Sequence, residues 1–315
     1  MLFAEILCLA VILDAVLGDP RGFPHPVRLI GHVITFLHKA LFTSNDSFMR
    51  GLAVAVMTLT ATGLLVWTVL CVSGGNVIVQ VCLLYSALAW RDLKDETRTV
   101  FTSLINHDII SARRYLSYVV GRDTDNLNEA EIARAAVETI AENSADGVIS
   151  VIFFAAVGHA VNHACGMCVG VWLFKAASTL DSMLGYESFG RYGTPSARLD
   201  DILSFIPARL GGIIIIMAGA FTGGNVQEGW RVFMSDRLKH KSPNSGHCES
   251  AFAGVLGVRL GGGACYGGRL EARPFINANA ASPKISDIPK AWRLLDVSCS
   301  IAVIIAAISG LFGVV

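Results

Sequence analysis

The sequence predicts an all-α polytopic membrane protein, with helical spans joined by interfacial helices and loops. Three observations carry that expectation. The 315-residue chain is 53% hydrophobic and only 16% charged, where soluble domains carry roughly a quarter charged residues. Its mean hydropathy is +0.55. Long apolar runs alternate with polar segments in which the acidic and basic side chains concentrate. The formal net charge is zero, which argues against a nucleic-acid partner. Eight cysteines are scattered, mostly within apolar segments, and read as reduced, buried thiols and not as a disulfide framework.

The opening MLFAEILCLAVILDAVLGDP lacks a basic start and a small-residue cleavage site, so it reads as a retained first helix. Apolar candidates for membrane segments are 2–17, 51–73, 77–90, 147–174, 202–221 and 297–315. A full span needs about 20 apolar residues. Segments 51–73 and 297–315 meet that well; 2–17 and 77–90 are short, and Asp14 interrupts the first. Polar segments 18–50, 91–146, 174–201 and 223–295 lie between them, and 91–146 reads as two helices. Lys plus Arg number four, seven, three and ten in these segments. The positive-inside tendency therefore puts the first, second and fourth on the cytoplasmic face. Simple alternation places 174–201 on the opposite face if 147–174 is one span. Gly158, His159, Asn162, His163 and Gly166 interrupt that stretch, which leaves a broken or re-entrant segment as the other reading.

The densest charge lies in STLDSMLGYESFGRYGTPSARLDDILSFIPARL, residues 178–210, between two apolar flanks. Carboxylates and guanidinium groups are costly beside hydrocarbon, so a task is expected of Asp181, Asp200, Asp201, Arg191, Arg198 and Arg209; an interfacial ion-pair cluster is the plainer reading. In 91–146, Asn128 with Glu131 has the form of a capping box. Glu131, Arg134, Glu138 and Glu142 then share one helix face, extended by Asp146 if the helix continues. The pattern alone favours a solvated face over a hard-cation site. GRDTDNL at 121–127 is either a phosphate-binding turn through Arg122 or a plain connection. SPNSGHCES at 242–250 is a Pro-Asn-Ser-Gly turn whose exposed backbone N–H groups and hydroxyls suit a phosphate cradle. Glycines 261–263 and 267–268 make a second close-approach loop, and neither GxxxxGK[ST] nor GxGxxG occurs. His159, His163, Cys165 and Cys168 have a spacing that permits a metal, but their apolar setting favours packing. His25 and Arg28, in HPVRLIG, are open to an acid–base or phosphate role or to a plain loop.

Taken together and in order, five blocks resemble the CobD/CbiB family, the adenosylcobinamide-phosphate synthases of cobalamin biosynthesis. They are GDPRGFPHPVRLIG, VVGRDTDNLNEAEIARAAVETIAENSADGV, KAASTLDSMLGYESFGRYG, SARLDDILSFIPARL and SPNSGHCESAFAGVLGVRLGG. The resemblance implies one integral membrane domain over 1–315, multi-pass in the cell (cytoplasmic) membrane, whose four polar segments build the site. It implies an acid–amine ligase that joins adenosylcobyric acid to aminopropanol or its O-phosphate, consuming ATP and requiring Mg²⁺. Other membrane enzymes of cobalamin assembly are implied as neighbours. Four positions depart from the family pattern. Ser178 and Ser204 replace Asn, Val151 replaces Pro, and His247–Cys248 replaces an aromatic–Pro pair.

A carboxylate oxygen is a poor leaving group, so amide formation needs activation, which ATP supplies as an acyl phosphate. Asp181, Asp200, Asp201 and Glu142 are the expected catalytic groups. His25, Arg28, Arg122, Asp123, Arg198, Arg209, Asn244, Ser245, Gly246 and Glu249 are expected to bind substrate or phosphate, and Asp146, Asp200 and Asp201 to hold Mg²⁺. Two other classes compete. AmpE-like membrane proteins share the overall pattern and are linked to non-catalytic signalling. A transporter is suggested by the broken apolar segments with Asp14, His159 and His163, but no pair of matching half-repeats is apparent.

Overall fold

The computed structural model describes residues 3–19, 25–44, 46–163 and 165–311. Residues 20–24 of the GDPRGFPHP block, and the two ends of the predicted apolar segments at Leu2 and 312–315, lie outside them. The fold is helical, as composition predicts, with two small two-stranded ribbons. Among the described residues, four helices are long and apolar enough to cross a membrane: Phe48–Val72, Glu129–Val161, Phe205–Thr222 and Asp287–Gly310. Their outward side chains are apolar, among them Leu64, Leu65, Val72, Ile213, Met217, Phe221, Ile304 and Ile308. In water such a surface would be an aggregation site; in a bilayer it is a lipid-facing one.

The chain packs as two compact units. The first comprises Met1–Ala89, Ser150–Ser204 and Val303–Val315. It holds α1 (Phe3–Leu17), α2 (Pro26–Leu41), α3 (Phe48–Val72), α4 (Val77–Tyr85), α8 (Ser150–Val161), α9 (Gly166–Leu184) and α10 (Gly190–Leu203). The segment expected at 147–174 is not a single span. α8 ends at Val161 and α9 begins at Gly166, and the two fold back on each other as a hairpin. Glycines permit the close approach: a Cβ on Gly158 would sit 2.1 Å from the Gly166 carbonyl oxygen, and one on Gly166 1.9 Å from that of Gly158. Phe154 stacks on Phe174 at 4.9 Å, which fixes the antiparallel register.

The hairpin returns the chain to the end of the unit from which it set out. There α10 packs beside the start of α3, where a Cβ on Gly51 would lie 1.9 Å from the Tyr192 carbonyl oxygen. His38 Nδ1 pairs with the Tyr192 hydroxyl at 3.1 Å, and Phe42 packs edge-on against Tyr192 and Phe189. Segment 174–201 therefore shares one end of this unit with 18–50, and 147–174 is broken into two helices and is not one span.

The second unit comprises Trp90–Ile149 and Phe205–Ala302. It holds α5 (Trp90–Ile105), α6 (Ile109–Leu116), α7 (Glu129–Ser144), α11 (Phe205–Thr222), α12 (Val226–Asp236), α13 (Ser245–Leu256) and most of α14 (Asp287–Leu311). Three helices, not two, occupy 91–146, because Asp108 caps a new helix by accepting the Ser111 N–H at 3.0 Å. The strands are β1 (Leu260–Gly261), β2 (Ala264–Tyr266), β3 (Arg269–Glu271) and β4 (Phe275–Ile276), paired β1 with β4 and β2 with β3, both antiparallel. A π-turn at Ala145–Ile149 ends α7. Such a turn inserts a residue and rotates the chain beyond it, so Asp146 does not extend the α7 stripe on a regular helix.

Candidate active site

In the second unit the α7 stripe turns inward. Its start is fixed by the expected capping box: Asn128 Oδ1 accepts the Glu131 N–H at 3.0 Å, and Glu131 Oε2 accepts the Asn128 N–H at 2.8 Å. One and two turns further on, the solvated face expected from the pattern is absent. The Glu138 side chain is only 7% exposed, and Arg122 Nη2 lies 2.6 Å from its carboxylate. Arg134 lies 3.8 Å from the other oxygen, which also accepts the Gly261 N–H at 2.8 Å. Arg134 donates in turn to the Gly261 carbonyl. Burial works against the Arg122 charge, but Glu138 outweighs it and holds the guanidinium above its ordinary pKa.

The neighbouring loop is held just as closely. Asp123 accepts the N–H groups of Gly267 and Gly268 at 3.1 and 2.7 Å. Those glycines, at φ +57° and +76°, form the tight β2–β3 turn that only left-handed residues allow. The structure thus gives Asp123 a clamping role on the glycine loop.

The Pro-Asn-Ser-Gly block opens α13. Ser242 Oγ accepts the N–H groups of Asn244 and Ser245 at 3.2 and 3.4 Å. Arg209 donates to Asn244 Oδ1 at 3.2 Å while lying 3.4 Å over the Phe205 ring. The Ser245 hydroxyl donates to Glu142 Oε1 at 3.4 Å, which ties α13 to the α7 stripe. A Cβ on Gly246 would meet the Arg237 carbonyl oxygen at 2.5 Å, so only glycine fits there. Asn244, Gly246 and Glu249 are buried, although a turn of this composition is expected to be exposed. Burial, then the charges of Glu142 and Glu138, push the Glu249 carboxyl well above its ordinary pKa. The departing pair faces the core: His247 packs on Phe233 at 5.7 Å, and the Cys248 thiol donates to the Ala208 carbonyl at 3.8 Å. Those substitutions change packing under the site.

The first unit holds the other predicted groups. Asp181 is on α9, and burial followed by the charge of Asp201 raises its pKa. Its carboxylate lies over Gly185, where a Cβ would be 1.9 Å from Asp181 Oδ1. Arg198 pairs with Asp201 at 3.4 Å from a side chain that is 74% exposed, and the Ser204 hydroxyl reaches Asp200 at 3.5 Å. Ser204 thus takes up a hydrogen bond at the position where the family pattern has Asn. His25 caps α2, its Nδ1 accepting the Val27 N–H at 3.2 Å, with Asp19 3.5 Å from Nε2. Arg28 is exposed. His159 and His163 pair at 3.3 Å, Phe3 stacks on His159, and the Cys168 thiol donates to the Gln80 carbonyl. This is the packing reading.

Among the described residues no group of three or more His, Cys, Asp or Glu side chains is arranged to hold a metal ion. Neither Asp200 and Asp201 in the first unit nor Asp146 in the second belongs to such a group. Four groups beside the predicted ones escape sequence reasoning. Periodicity assigns Glu138 and Arg134 to a solvated face. His240 precedes the SPNSG block by two residues, and Arg273 lies beyond the glycine loop; both act electrostatically near Glu249.

These features define a class: a helical membrane protein that buries carboxylate and guanidinium groups around a Pro-Asn-Ser-Gly helix start. The chain belongs to the CobD/CbiB family, whose model, described as CobD/Cbib protein, matches residues 7–295. A "Cobalamin biosynthesis protein CobD" of Pelobacter propionicus is 43% identical over 86% of this chain and 84% of its own length. Its namesake in Clostridium tetani is 38% identical over 96% of each chain, and one in Geobacter metallireducens is 41% identical over 86% and 85%. No solved structure matches the chain. The protein therefore has a role in cobalamin biosynthesis.

Proposed function

We propose that the protein is an ATP-dependent acid–amine ligase of the cell membrane, joining aminopropanol or its O-phosphate to adenosylcobyric acid to give adenosylcobinamide or its phosphate. The observation that carries this reading is the buried polar array of the second unit. Arg122 and Glu138 sit 2.6 Å apart beside a Glu142–Ser245 contact at a helix start. A family with a role in cobalamin biosynthesis has no need of such an array for packing alone, since burying paired ions costs several kcal/mol per ion.

The chemistry runs in two steps. ATP transfers its terminal phosphoryl group to the propionate carboxylate, releasing ADP; the amine then displaces phosphate from the acyl carbon. In the second unit, Arg209 is suited to phosphate oxygens through its guanidinium, whereas Ser242 Oγ already takes the N–H groups of Asn244 and Ser245. Arg122, paired with Glu138 at 2.6 Å, holds the array together. Glu142 is suited to orient a donor through the hydroxyl of Ser245. In the first unit, Asp181, whose pKa is raised by burial and then by the charge of Asp201, is suited to acid–base work. The described residues hold no three-ligand group, so Mg²⁺ would be carried by the nucleotide phosphates. Purified protein given adenosylcobyric acid, ATP, Mg²⁺ and the amine should form the amide, and Asp200→Ala should lose that turnover. Undiminished turnover in Asp200→Ala would remove Asp200 from the machinery.

A further inference from the structure

We infer that Glu249 is the general base that takes a proton from the incoming amine, and that His240 is its positioning residue. This rests on the ligase reading above. The arginines of the second unit are unevenly shared. Arg122 and Arg134 both turn to Glu138, at 2.6 and 3.8 Å. Glu142 meets the Ser245 hydroxyl. Among the described residues Glu249 has no arginine within 4.0 Å and no hydrogen bond, although its side chain is only 7% exposed. Its neighbour is His240, whose Nε2 lies 3.8 Å from Glu249 Oε1 and whose side chain is 16% exposed.

The tautomer of His240 is set by its other nitrogen. Nδ1 accepts the Ser242 backbone N–H at 3.0 Å, so the neutral ring carries its hydrogen on Nε2, facing the carboxylate. Burial, then the charge of Arg273, lowers the His240 pKa to about 4, so the ring stays neutral at physiological pH. A neutral imidazole that points an N–H at a carboxylate orients it without quenching its basicity. The charged groups that act on Glu249 are Glu142 and Glu138 from α7, Arg273 after β3, and Arg122 from the loop before α7. With Arg122 committed to Glu138, this corner favours a cation over an anion, and an alkylammonium is the cation the reaction uses. Glu249 therefore belongs with the amine and not with a phosphate.

The amine enters as an ammonium and gives one proton to the Glu249 carboxylate. Its nitrogen lone pair forms the C–N bond at the acyl carbon. The C–O bond to phosphate breaks, its electron pair leaves on phosphate, and that phosphate takes the second nitrogen proton.

The test uses full-length protein in detergent with adenosylcobyric acid and ATP, comparing aminopropanol phosphate with hydroxylamine, a nucleophile uncharged at neutral pH. Glu249→Gln should lose amide formation by about 10²-fold or more, the usual range for a general base. ATP-dependent hydroxamate formation by the same variant should stay within about threefold of wild type, which also reports an intact fold. His240→Ala should move the acid limb of the kcat/KM profile for the amine to higher pH, because the carboxylate loses the N–H dipole that faces it at 3.8 Å; His240→Gln should restore it. Equal loss of both products in Glu249→Gln, or an unmoved acid limb in His240→Ala, overturns the assignment. Wild-type protein that makes neither product overturns the ligase reading itself.

Discussion

At the scale of single residues, the Arg122–Glu138 pair sets the energetics of the second unit. Side chains that are 12% and 7% exposed have surrendered most of their hydration. Removing one partner strands the other charge. Arg122→Ala should therefore destabilise the protein by about 3–5 kcal/mol, read as a lower thermal midpoint in micelles, while Arg122→Met with Glu138→Leu should recover most of the loss. His240 makes a prediction of opposite character. Its folded pKa is about 4 against an ordinary 6.5, so as pH falls through that window the unfolded chain takes up a proton that the folded chain refuses. Stability should fall between pH 6.5 and 4, on the order of 3 kcal/mol in total. Denaturant titrations across that range should show the slope in the wild type and a flatter one in His240→Gln. Glu249 has the reverse sign: its raised pKa contributes stability at low pH that is lost as pH rises through the folded value. The identities of most of these groups are legible in the sequence, but their state is not. Periodicity puts Glu138 on a stripe, and no local signal says that Arg122, sixteen positions earlier, folds back to cover it.

At the scale of elements, the α8–α9 hairpin shows what hydropathy reads and what it misses. The apolar composition of 147–174 correctly marks material for the membrane. Whether it crosses or turns depends on Gly158, Gly166 and Gly170 letting two backbones touch, a contact that window averages do not see. Gly158→Val would drive a side chain into the Gly166 carbonyl, only 2.1 Å from the position of its Cβ. The expected outcome is a hairpin forced apart, with poor yield of folded protein and a lower thermal midpoint, whereas Ala160→Val, on the same helix, should be mild. The capping box at Asn128 is legible because it is local. The third helix of 91–146 escapes the sequence reading because a lone Asp108 start signal sits inside a polar stretch.

For the whole molecule, the sequence leaves a conflict of sidedness that packing resolves. Counting spans puts 174–201 across the membrane from 18–50, yet Phe189 and Tyr192 touch His38 and Phe42. Cysteines placed at Ser44 and Ser188, in a background with the exposed native thiols replaced, should label with an impermeant reagent from the same membrane face. Labelling from opposite faces would contradict the shared end to which the α8–α9 hairpin returns the chain. The family is legible because five ordered blocks carry it, whereas the site's burial emerges only from tertiary folding of segments far apart in the chain. The central claim is that this buried array forms an amide bond at the expense of ATP. The most direct measurement supplies purified wild-type protein with adenosylcobyric acid, ATP, Mg²⁺ and aminopropanol phosphate, and tracks ADP and corrinoid product together. One ADP should be released per amide formed, with neither appearing when any substrate is withheld. Amide formation without ATP, or no amide in the complete mixture, would contradict it.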